Sequence, residues 1–156
     1  MSSMDPFPFT EAEWYSVAEA ARTVVNATLA EDAILRASHF SDFQDVLAEL
    51  RERYGDHPVL LETEADMTTD VAVQADLYRQ AIDLANTHQL PTLSIRLSFA
   101  AVLLESLGQP EAARAELLAC QGELTQSGDE GDRQTWERLL AAVAASDNSA
   151  LDPRNE

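Results

Sequence analysis

The chain has 156 residues, 46% of them hydrophobic, with only five glycines and six prolines, a composition that suits one globular helical domain and excludes a disordered or fibrous polymer. Its formal net charge of −18, with every one of the ten basic residues an arginine, repels phosphate backbones and anionic lipid, so neither nucleic acid nor a membrane surface is expected as a partner. Cys120 is the single cysteine and forms no intramolecular disulfide. No window approaches the roughly 18 apolar residues of a membrane span, and the first residues lack the basic and apolar regions of a secretory signal; the expected location is the cytoplasm.

Residues 1–9, with Pro6 and Pro8, read as an irregular lead whose Phe7 and Phe9 pack down. Thr10 and Glu13 have the spacing of a capping box, which predicts a helix from Glu11 to about Leu29. Its expected apolar face is Trp14, Val17, Ala18, Ala21, Val25 and Leu29. Residues 31–40 continue that helix or form a short second one. Ser41 with Gln44 forms another capping box, opening a helix with Phe43, Val46, Leu47, Leu50 and Tyr54 inside and Gly55 as its stop.

His57 and Pro58 begin a short helix to about Asp66. Thr68, Thr69 and Asp70 are the next break and cap, followed by a helix over Val71–Thr87 carrying Ala75, Tyr78, Ala81, Ile82 and Ala85 at helical spacing. From Thr92 to Thr125 two amphipathic helices are joined by a tight turn. Leu93, Leu97, Ala100, Ala101 and Leu104 line the first, Gly108 ends it, Pro110 opens the second, and Ala113, Leu117 and Cys120 line that one. Residues 127–132, SGDEGD, form a turn cluster, and a last helix from about Asp132 to Ser146 buries Trp136, Leu139, Leu140 and Val143. The tail, 147–156, is expected to be disordered, leaving one domain over 10–146. No stretch alternates with period two, so the fold class is all-α, with antiparallel hairpins and about six to seven helices.

The segment 92–125 resembles a tetratricopeptide repeat, a helix-turn-helix unit of about 34 residues. With Ser94 as first position, Leu97 and Leu104 match large apolar positions, Ala101 the small position of the first helix and Gly108 the turn glycine. Ala113, Leu117 and Cys120 match the small, large, small series of the second helix. The chain departs from the pattern in lacking its usual Tyr or Trp and in having Thr125 where the closing proline stands. Residues 57–90 resemble a more degenerate repeat, since Tyr78 and Ala81 repeat the spacing of Leu117 and Cys120 while Gln74 and Glu62 break small positions. The resemblance implies a short right-handed stack of hairpins with a concave groove, in which Ser98, Val102 and Glu105 would face a bound peptide or partner helix. Their mildly acidic character hints at a basic or polar partner, and an open end of so short a stack invites a homodimer.

Chemical motifs are missing: the sequence has no HExxH, CxxC, phosphate loop or GxSxG elbow. His39, His57 and His88 are scattered, which gives no metal-ligand spacing. Cys120 lies on an apolar helical face, as a buried structural thiol would. Glu62 and Asp66 are four apart and share a helical face, so a paired-carboxylate role requires a partner from elsewhere. Asp129, Glu130 and Asp132 lack the register of a calcium loop. No cofactor, metal or catalytic residue is assigned, and the expected function is a non-enzymatic protein-protein interaction module of adaptor or scaffold type. Two alternatives stand beside it: a helical enzyme or ligand-binding protein with a site assembled from His39, His57 and the Glu62 face, and an acidic mimic of nucleic acid.

Overall fold

The first four helices of this chain each start at a residue whose side chain caps the helix. A computed structural model describes residues 3–150, and their side chains as far as residue 147. Helix α1 (Glu11–Leu29) begins where the Thr10 hydroxyl accepts from the Glu13 amide at 3.1 Å and Glu13 Oε1 accepts from the Thr10 amide at 2.9 Å, the reciprocal box predicted from sequence. Helix α2 (Ala33–Tyr54) is capped by Asp32, whose carboxylate accepts from the Leu35 amide, and is closed by Gly55 at φ 78°. The expected restart at Ser41 does not occur. No glycine or proline interrupts residues 33–54, so the capping-box spacing at Ser41 and Gln44 lies inside one continuous helix.

Helices α3 (Pro58–Met67) and α4 (Val71–Thr87) form the next hairpin, with His57 and Asp70 as their caps. Helix α5 (Leu93–Ala101) runs into a π-helical turn over Val102–Ser106, and Gly108 at φ 61° reverses the chain into α6 (Pro110–Ala119). A break at Cys120 separates α6 from α7 (Gln121–Ser127), where the sequence predicts one helix. Helix α8 (Glu130–Ala150) extends into the stretch expected as tail; residues 151–156 lie outside those described. Among the described residues there are thus eight α-helices, one π turn and no strand. The all-α class holds, with more helices than the six to seven expected.

The helices stack in chain order: α1 packs on α2, α3 on α4, α5 between α4 and α6, and α8 across α5 and α6. Helix α5 buries Leu93, Ile95, Leu97, Phe99 and Ala100, a nearly all-round apolar surface that fits its central place. Leu103, in the π turn, is buried while Leu104 is only half-buried, because the wider turn shifts the helical register. Helix α8 seats Leu139 and Val143 in the core and donates Trp136 Nε1–H to the Leu117 carbonyl at 2.8 Å.

Helix α1 seats only part of the face its periodicity suggests: Trp14, Val17 and Ala21 pack on the core as expected, and the buried stripe then turns away from the rest. Val17, Val24 and Ala27 are buried, whereas Ala18, Val25 and Leu29 are exposed. The rotation is fixed by Glu13, whose carboxylate takes the Tyr54 hydroxyl at 2.6 Å and pairs with Arg53, both on α2. Val17, Val24 and Ala27 lie 4, 11 and 14 residues beyond Glu13 on that same face. The lead adds Phe9, buried and in aromatic contact with Trp14, Tyr54 and His57 at centroid distances of 5.2–5.6 Å.

Candidate functional site

Side chains of α3, α4 and α5 gather into a polar strip. On α3, Glu62 and Asp66 are the four-apart carboxylates singled out from sequence. On α5 the matching pair is Ser94 and Ser98. The Ser94 hydroxyl donates to Glu62 Oε2 at 3.4 Å, and the Tyr78 phenol, from α4, donates to Asp66 Oδ1 at 2.6 Å. Ser98, half-buried one turn further along α5, lies near the Tyr78 phenol. The partner that the carboxylate pair needed is therefore supplied by hydroxyl groups of two other helices.

Burial dominates the electrostatics of this strip. It raises the Glu62 carboxyl to about 7, with the neighbouring Asp66 charge pushing the same way and the Ser94 hydrogen bond opposing. Burial also raises Asp66, against the Tyr78 hydrogen bond. Tyr78 is held far above its ordinary value by burial and by its bond to the Asp66 carboxylate. A phenol so held stays protonated and keeps donating across the neutral range.

Glu62 and Ser94 open into a cleft of about 160 Å³ lined also by His57, Val59, Leu90 and Ile95. Small-molecule sites run from roughly 300 to 1,000 Å³, so this cleft has room for the end of a side chain and not for a cofactor. The His57 ring is engaged on both sides: Nδ1 accepts from the Val59 amide at 3.1 Å, and Nε2 donates to the Asp5 carbonyl at 2.8 Å. That ring caps α3 and ties down the lead. His39 is not among the residues of the cleft, so the dispersed constellation of His39, His57 and Glu62 is only partly gathered.

The three residues expected to face a groove fare differently. Ser98 is half-buried beside Tyr78, and Val102 is half-buried at the edge of the core. Glu105 lies within the π turn, off the row that Ser98 and Val102 begin, and pairs with Arg138 of α8 at 3.0 Å. Tyr78 was expected only as core; nothing local in the sequence shows that its hydroxyl reaches Asp66. Asp129 and Asp132 cap one another's amides at 2.8 and 3.1 Å at the start of α8. Cys120 is buried, and its thiol is raised to about 11 chiefly by burial. Comparison of the chain with protein-family models, with curated proteins and with solved structures returns no match.

Proposed function

We propose that this chain is a non-enzymatic interaction module, a short right-handed array resembling tetratricopeptide repeats, whose strip along α3 and α5 holds a basic segment of a partner protein or peptide in the cytoplasm. The observation that carries this reading is the gathering of Glu62 and Asp66 with the hydroxyls of Ser94 and Tyr78: two carboxylates and two hydroxyls, beside a cleft that fits one side-chain terminus. A lysine or arginine head brought there gains charge-assisted hydrogen bonds in a partly desolvated setting, where they are stronger than on an open surface. A bound cation also favours the ionised form of Glu62, so occupancy and ionisation reinforce each other.

Selection from a displayed random-peptide library tests the reading. Wild type is expected to enrich peptides carrying Lys or Arg, with affinity falling from pH 8 to pH 6 as Glu62 takes up a proton. Ser98→Arg, at a half-buried position beside the strip, is expected to abolish that binding while leaving the helical circular dichroism unchanged. Enrichment without charge bias, or binding indifferent to Ser98→Arg, would refute the proposal.

A further inference from the structure

The rotation of α1 that Glu13 enforces leaves a second apolar stripe on the far side of the helix. Glu11, Tyr15, Ala18, Arg22, Val25 and Leu29 follow one another at intervals of four and three, the heptad spacing of a helix seam. Tyr15 is 66% exposed and Leu29 77% exposed. Around the start of this stripe Phe7, Phe9, Trp14, Tyr15 and Ala18, with Glu11 at the edge, wall an open hollow of about 500 Å³. At the other end of α1, Val25 and Leu29 project from it, and Ile34, just past the turn, is 86% exposed.

We infer that this face joins a second copy of the chain, the two α1 helices running antiparallel about a twofold axis near residue 20. An isologous contact must be self-complementary, and the stripe is. Position 11 then meets 29 of the partner, 15 meets 25, and 18 meets 22, so the aliphatic end of one copy enters the aromatic hollow of the other, twice. Arg22 lies over the small Ala18 of the other copy, next to that copy's Glu19. Within one chain Glu19 and Arg22 pair at 2.6 Å, and across the axis the same two residues can exchange partners.

Charge selects both the occupant and the register. The stripe carries one acid, Glu11, and one base, Arg22, in a chain of net charge −18, so this is a face on which two such chains meet with little repulsion. A basic partner has no acidic surplus to bind here. Shifting the axis to residue 22 would set Arg22 against Arg22, which like charges disfavour. The helix is about 28 Å long and its seam about 10 Å wide, which places the contact among small, reversible interfaces and not obligate ones.

Sedimentation equilibrium of the full chain over about 1 µM to 1 mM tests the inference. The weight-average mass is expected to rise with concentration from 17.1 kDa toward twice that value. Leu29→Glu and Ala18→Glu, both at exposed positions, are expected to weaken dimerisation at least tenfold with unchanged circular dichroism. Glu19→Arg and Arg22→Glu should each weaken it, and the double exchange should restore it. A chain that stays monomeric throughout, a dimer indifferent to Leu29→Glu, or a double exchange no better than the single variants would overturn the inference. Leu29→Glu should leave peptide binding at the α3–α5 strip intact, so failure of the dimer and failure of the proposed groove are separately visible.

Discussion

Glu62 makes the chain less stable as pH rises from about 4.5 to about 7, and Glu62→Gln should remove that penalty. Its carboxyl sits near 7 in the folded chain, against an ordinary value of 4.5, because burial penalises the ionised form. The folded state therefore binds the proton more tightly than the unfolded state. Below pH 4.5 both states are protonated and the residue has no effect; between 4.5 and 7 stability falls as pH rises; above 7 the loss is complete and constant. The interval corresponds to roughly 3 kcal/mol, at 1.36 kcal/mol for each pH unit. Glutamine keeps the shape and can still bond Ser94, but it never ionises. The wild-type and variant stabilities should therefore converge at pH 4 and separate by up to roughly 3 kcal/mol, in favour of the variant, at pH 8. With a urea m-value of about 2 kcal/mol/M for a domain of this size, the midpoints would differ by about 1.5 M. Urea titrations followed by far-ultraviolet circular dichroism at five pH values measure this directly. A constant offset from pH 4 to pH 8, or a variant less stable at pH 8, would show that Glu62 does not titrate as its surroundings imply.

Three other perturbations test the framework. Glu123→Ala removes the carboxylate that accepts from the Thr92 and Leu93 amides at 2.9 and 2.7 Å; thermal unfolding should report a loss of about 1–3 kcal/mol, with partial rescue by Glu123→Gln. Leu139→Ala opens a void beneath α8 at a fully buried position, and denaturant titration should show about 2–5 kcal/mol of destabilisation. Gly108→Ala places a Cβ at φ 61° with nothing within 4 Å, so the cost is backbone strain alone, about 1 kcal/mol, and Gly108→Asn should recover much of it.

Sequence alone placed α1 at Glu11–Leu29 and α4 at Val71–Thr87, the bounds the structure shows. Both begin at a residue whose side chain caps its own helix within three positions, and such a signal is local and complete. Ser41 misled because a capping spacing matters only where the chain breaks, and Asp32 had already started that helix. The two stripes of α1 are equally periodic; only Tyr54 and Arg53, more than 40 residues away from Glu13 for one and 40 for the other, decide which turns inward. The Glu123 cap on α5 spans 31 residues and leaves no trace in the local pattern. The π turn at Val102–Ser106 is likewise unmarked, which is why Glu105 departs from its expected row. For the candidate strip, the Glu62 and Asp66 pairing was legible as an i,i+4 relation, while Tyr78 and Ser94 joined it only through tertiary packing.

The interior is divided at α3. Leu60 belongs to a cluster with Val17, Phe43 and Leu47, while its neighbours Leu61 and Ala65 belong to another with Tyr78, Phe99 and Leu117. Arg51 of α2 reaches Glu64 at 3.5 Å and Arg36 of α2 reaches the Met67 carbonyl at 2.7 Å, so these polar links from the first half also end on this ten-residue helix. Cooperativity between the halves thus passes through one narrow coupling element, as in linear arrays where each unit senses only its neighbour. Native-state hydrogen exchange should resolve two tiers of opening free energy, the lower one releasing α1 and α2 as a foldon while the amides of α5 stay protected.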